Sequence, residues 1–276
     1  MSLITKRLAV VAATAAAATS LTFASSSASY ADGPTAAEAL SACPTDGNGA
    51  LCLATQTTGG QFSIGKMTMP LGAMVFTGTV SPDPNSSADN ILTNASLNGP
   101  ALQVPGGLLG VPAVQSLIPG ITSVTASTEL AGVPHFNAGA SLTGVGTALT
   151  LPIKIKLGNA LLGNNCTIGT DADPIVLSLT AGTTAPPAPN QPIKGSTGTL
   201  GVDGGTIVIT GSSFVDNSFS VPKASGCTAL GLQLLESTVS GIVNSKQGLP
   251  SPAGNNTIVM NANAWLGVPP AAATAG

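Results

Sequence analysis

The clearest pattern along the chain is the alternation at 147–157. Leu149, Leu151, Ile153, Ile155 and Leu157 fall on one side, and Thr150, Pro152, Lys154 and Lys156 on the other. Period two over this length predicts a strand buried on one face. Pro152 has no N–H for a ladder, which puts its N-side at an edge or a bulge. Lysines on the polar face protect such an edge from pairing with another chain. Ile175, Leu177 and Leu179 repeat the alternation. Further strands are predicted at 61–69 (QFSIGKMTM) and 72–80 (GAMVFTGTV), separated by Pro70, then at 122–130 and at 205–213 (GTIVITGSS). The last strand, NTIVMNANAW, carries the single Trp, Trp265. The intervening SPDPNSSADN has turn chemistry, and PPAAATAG at 269–276 reads as a flexible tail.

Two stretches follow a helical period instead. Thr35-Ala36-Ala37-Glu38 matches a capping box, and Ala-rich sequence carries a short helix to about Ala42, before Cys43-Pro44. In 229–245, Leu235, Val239, Ile242 and Val243 share one helical face, with Thr228 as cap and Lys246, Gly248 and Pro250 as a stop signal. Residues 99–121, GPALQVPGGLLGVPAVQSLIPGI, are apolar but broken by four prolines, which excludes a membrane helix. They either fold over the core or present an apolar face to a ligand or envelope lipid. Under the second reading Leu108, Leu109, Val111, Leu117 and Ile118 are the candidate ligand contacts. The Pro-rich segment 183–192 either separates two domains or crosses between sheets of one sandwich. The absence of an obvious independent core after it favours the second.

The N-terminus changes where such a fold is expected to work. Lys6 and Arg7 precede an apolar, Ala-rich stretch from Leu8 to about Ala24, and Ser29-Tyr30-Ala31 supplies small residues at −3 and −1. This is the pattern of a secretory signal peptide over 1–31, leaving a β-rich domain over 32–268. Without Lys6 and Arg7 the chain keeps six lysines and no arginine against 11 acidic residues, a net charge of −5. Nucleic-acid binding relies on clustered Arg and Lys, so it is excluded as a function class. Charged residues make up only 7% of the chain, and between Asp89 and Lys154 the single formal charge is Glu129. A stretch so poor in charge is expected to be covered or to meet something apolar.

Candidate chemistry is sparse. His135 is the only histidine, hence the only base for a Ser-His-Asp hydrolase, and no Gly-x-Ser-x-Gly elbow occurs. Asp171 and Asp173, two apart in GTDADP, read as a turn. One Trp and no Tyr after position 31 disfavour a carbohydrate cleft. No Gly-rich phosphate loop is present, and no cofactor or metal is indicated. Cys43, Cys52, Cys166 and Cys227 form an even set, which in an exported chain reads as two disulfides. Of three pairings, Cys43–Cys52 and Cys166–Cys227 are favoured. The second would clamp the start of the C-terminal helix.

The segments LPIKIKLGNALLGNNCTIG, PIVLSLTAGTTAPPAPNQPIKG, SFVDNSFSVPKASGC and GLPSPAGNNTIVMN together resemble uncharacterised secreted proteins of actinobacteria, over about residues 146–262. The resemblance implies an extracellular or cell-envelope location and carries over no functional residue. The expectation is a mainly β protein, an antiparallel sandwich or partial barrel with a short N-terminal helix and one C-terminal helix. Its expected role is that of a disulfide-stabilised, exported, non-enzymatic protein binding envelope lipid or another apolar partner. The competing expectation is a secreted esterase or lipase using His135.

Overall fold

The alternating segment at 147–157 lies in the middle of a sheet, not at its edge. The structure, a computed structural model, describes residues 34–44, 50–104, 123–159, 162–229 and 232–270. In chain order these form α1 (Ala36–Leu40), β1 (Cys52–Ile64), β2 (Met67–Pro70), β3 (Val75–Pro82), β4 (Asn90–Asn98), β5 (Leu102–Gln103), β6 (Thr125–Leu130), β7 (His135–Phe136), α2 (Ala138–Thr143), β8 (Leu149–Gly158), β9 (Thr167–Ile168), β10 (Ile175–Leu179), β11 (Thr199–Asp203), β12 (Thr206–Asp216), β13 (Ala224–Ser225), α3 (Glu236–Gln247) and β14 (Thr257–Gly267). The expectations placed on 1–31, on Leu108, Leu109, Val111, Leu117 and Ile118, and on the last six residues of the tail lie outside the described residues.

All described strands join one antiparallel sheet in the order β11-β12-β14-β1-β3-β4-β7-β8-β6-β5, with β2, β9, β10 and β13 attached beside this path. The inward residues of β1, β3 and β14 meet those of β8 and β10, so the sheet folds over a single main core that includes Phe62, Phe76, Ile153, Leu177 and Ile258. Just beyond β10, Thr180 exchanges backbone hydrogen bonds with Val215 of β12 at 3.0 and 2.9 Å. That contact is a point, and the sheet is not closed into a barrel. On the outer face of β1 and β14 a second cluster forms from Ala36, Leu40, Cys43, Cys52, Ala54 and Trp265. It holds α1, whose predicted capping box between Thr35 and Glu38 is present.

Several local expectations are corrected. Strand β8 pairs with β7 through Leu149 and Thr150 and with β6 from Ile153 onward, so Pro152 falls at the gap where the neighbour changes. Its missing N–H costs nothing there. Lys154 is accordingly no edge guard; its Nζ donates to Asp171 Oδ1 at 2.7 Å and lies 3.9 Å from Glu129, and the Asp171 contact raises the pKa of the ammonium. The 61–69 segment is a hairpin turning at Gly65-Lys66, not one strand. The C-terminal helix starts at Glu236 rather than near 229, with no side-chain cap, preceded by a 3₁₀ turn at Gln233–Leu235. Only Val243 of its apolar stripe is buried and Val239 half-buried, while Leu235 and Ile242 face solvent. The Pro-rich segment 183–192 is fastened to the sheet core by Asn190 Nδ2, which donates to Asn217 O and Asn256 O at 2.9 and 2.8 Å. The described residues from Pro34 onward group as one compact unit.

Both disulfides, Cys43–Cys52 and Cys166–Cys227, are present, separated by 9 and 61 residues in sequence. Closing the longer loop removes more unfolded-chain entropy, about 4 kcal/mol against about 2.5 kcal/mol. The Cys166→Ala/Cys227→Ala variant is therefore expected to lose more stability in urea unfolding than Cys43→Ala/Cys52→Ala.

Candidate functional site

Two places on the described surface concentrate unusual features, and they lie on different chemistry. The first follows from the pairing register of four strands. Leu53, Leu266, Ile207 and Val202 stand directly opposite one another across β1, β14, β12 and β11. Thr55, Ala264, Ile209 and Leu200 make the next row. Cross-strand partners point to the same face of a sheet, so both rows lie on the core face. Burial falls off along each row: Leu53 and Ala264 are buried, whereas Val202 is 74% exposed and Leu200 58% exposed. The core face thus continues, still apolar, onto the exposed β11–β12 hairpin.

Opposite this strip lies α2, capped by the Asn137 side chain, which accepts from the Ala140 N–H at 2.8 Å. Between helix and strip is a cavity of about 80 Å³, whose walls include Phe136, Leu149, Phe214 and Met260. The exposed side chains of Leu142 and Ile207 stand at its margin. Phe214 reaches this space because of a bulge. The β12–β14 register slips by one residue between Ile209 and Ser212, with Gly211 at φ 68°. Odd-numbered residues face the core before the bulge and even-numbered ones after it. An L side chain at residue 211 would be strained, which makes glycine the suitable residue there.

The second place is polar. His135 Nδ1 lies 2.9 Å from Asp83 Oδ2, and an ionised carboxylate only accepts, so the ring nitrogen donates. Asp83 is buried and also accepts the Asn85 N–H at 2.8 Å; the His135 side chain is 43% exposed. Two residues further along, Asn137 Nδ2 donates to Asp89 Oδ1 at 2.9 Å, while Ser86 Oγ donates to Asp89 Oδ2 at 2.9 Å. These bonds, chiefly that from Asn137, hold the Asp89 carboxyl below the usual carboxylate range, against an opposing contribution from burial. A carboxylate therefore orients His135 as a hydrolase would need. Among the described residues, however, no serine hydroxyl hydrogen-bonds to the imidazole, and the cluster acts to pin the 83–89 turn onto β7.

Of the residues singled out in the sequence, His135 gains a partner, the four cysteines pair, and Asp171 and Asp173 form a turn closed by Thr170. Among the described residues no three His, Cys, Asp or Glu side chains converge as metal ligands would. Sequence reasoning missed the apolar strip. TLGVDGGTIVI offers only short apolar stretches around a Gly-Gly turn, and the face they share depends on pairing with β14.

Because the folded pKa of Asp89 is depressed, its contribution to stability is present above the unfolded value, roughly 4, and is lost as pH falls through the lower folded value. The melting-temperature gap between wild type and Asp89→Asn is expected at neutral pH and closes as pH falls through and below that range. A gap independent of pH would contradict the assignment. Comparison of the chain with known protein families, with curated proteins and with solved structures finds no match.

Proposed function

We propose that the protein is an exported, non-enzymatic binding protein of the cell envelope or medium that takes up an apolar ligand, an acyl chain, between α2 and the β11–β12 hairpin. The observation that carries this reading is the unbroken apolar strip from the buried Leu53 row to the exposed Val202 and Leu200. Soluble proteins seldom leave a contiguous apolar strip open to water without a partner for it. The cavity, about 80 Å³, is smaller than the dry pocket of ~150 Å³ that accommodates a benzene ring. It suits the end of a chain, with the remaining methylenes lying along the hairpin. The two disulfides are compatible with an oxidising, extracellular compartment. The segment resemblance to secreted proteins supports the same location.

Titration with a fluorescent fatty acid tests the reading. Wild type is expected to bind saturably, and Leu142→Asp/Ile207→Asp to bind about tenfold more weakly or less, since a carboxylate against an acyl chain loses its hydration. Both side chains are solvent-exposed, so the fold tolerates the change. Absence of saturable binding by wild type, or equal affinity of the variant, would refute the site. Turnover of a chromogenic ester that disappears in His135→Ala would replace the non-enzymatic reading with the hydrolase.

A further inference from the structure

We infer that the 3₁₀ turn and helix at 232–246 form a docking surface for an anionic lipid bilayer, separate from the acyl-chain cleft. The helix uses only part of its apolar stripe to cover the core. Val243 is buried, yet Ile242 is exposed, as are Leu232, Leu234 and Leu235 before it, and Leu234 is 93% exposed. Spacing by seven and by four places Leu235, Ile242 and Lys246 on one outward line. Exposed leucines in the turn, with Ile242 and Lys246 following on the helix, are groups that a membrane interface accommodates.

Charge selects the kind of surface. From residue 217 to the end of the sequence the charged residues are Lys223, Glu236 and Lys246. Glu236 Oε1 accepts the Gly226 N–H at 3.1 Å, and the two lysines outnumber this single carboxylate. Lys223 and Leu234 line one open groove, and the Lys66 side chain packs beside Gly248 at the helix C-terminus. Three of the six lysines among the described residues therefore surround this helix, on a chain whose net charge is negative. Cationic side chains around exposed leucines match anionic headgroups over acyl chains. A second copy of the chain would bring the same lysines together and is disfavoured by that repulsion.

The surface is remote from the cleft. Lys66 donates its N–H to Gln247 O at 2.8 Å just beyond the end of β1, whereas the cleft is lined by Leu53 at the strand's beginning. The cleft wall nearest to this surface, Met260, stands opposite Gly60 of β1, which at about 3.3 Å per residue leaves roughly 20 Å of chain before Lys66.

Co-sedimentation with vesicles tests the inference, using phosphatidylcholine alone and an equal mixture with phosphatidylglycerol. Wild type is expected to pellet with the mixed vesicles and much less with phosphatidylcholine. Leu234→Ser/Leu235→Ser is expected to reduce the bound fraction about tenfold. Lys223→Gln/Lys246→Gln should reduce it about fivefold per lysine and remove the preference for the mixed vesicles. Both variants should keep the wild-type melting temperature, which separates lost docking from lost folding. Leu142→Asp/Ile207→Asp should pellet like wild type, so failure of the cleft and failure of this surface give different results. Wild type remaining in the supernatant with both vesicles would overturn the inference, as would unchanged binding by both altered helices. A concentration-dependent dimer that Leu234→Ser dissociates, without vesicle binding, would assign the surface to a second copy instead.

Discussion

The antiparallel pairing of β1 with β14 is the interaction on which the rest of the structure depends. It runs from Cys52 opposite Gly267 to Ser63 opposite Thr257, with one slip between Thr57 and Gly59. Its two faces and two edges place the elements next to it, and the remaining strands build outward from those. The inner face supplies Leu53, Phe62 and Ile258 to the main core, and the outer face supplies Ala54 and Trp265 to the cluster beneath α1. The edges receive β3 on one side and β12 on the other. Because side chains alternate strictly, a one-residue shift in this ladder would exchange the two clusters. The slip is tolerated because Gly60, at φ 138°, approaches the Val259 carbonyl where a Cβ would collide with it.

The apolar cleft is a consequence of the same ladder ending unevenly. A sheet that bends over its own core but does not close leaves the inner face of its terminal hairpin exposed at Leu200 and Val202. The fold meets this at Thr180 and Val215 with a pair of backbone hydrogen bonds, supported by the Ser178 N–H donating to Asp216 and by the Ser196–Ser213 bridge. Burying a polar group is costly without a partner, and this region carries almost none: its exposed core-face positions are Leu200, Val202 and Ile207. The apolar character that serves the core at one end of each row therefore remains at the other end, where water is the neighbour.

Polar residues do the fastening elsewhere. Asn256, fully buried, donates through Nδ2 to Phe219 O and Pro252 O at 3.0 Å each and accepts the Gly65 N–H at 3.1 Å. Asp216, also buried, accepts the Ser178 N–H at 2.7 Å and the Ser218 N–H at 2.8 Å. With so few aromatic side chains to fill space, these amide and carboxylate hubs hold long connections against the sheet, and Cys166–Cys227 does so covalently. His135 belongs to this class in the described structure, as a half-exposed donor to Asp83 that steadies a turn.

Strands with apolar runs or a regular period were legible in the sequence: β8 and β10 follow from alternation, and most of β12 and β14 from their β-branched apolar runs, while the capping box and the mainly β class were legible too. Short or polar strands were not. Asn90–Asn98 reads NILTNASLN and Thr199–Asp203 reads TLGVD, and neither has enough apolar contrast to be recognised before a partner strand is known. The helix at Glu236–Gln247 had the right period, but period does not say which apolar residues a core will use. The alternation, the N-terminal cap and the set of cysteines can be read along the chain, because these depend on residue identities and on neighbours a few residues away. The phase change at Gly211, the apolar continuity from Leu53 to Val202 and the outward turn of Leu235 and Ile242 emerge only in the folded chain. Each of these depends on register between segments far apart in the chain, and register is set by pairing, not by local composition.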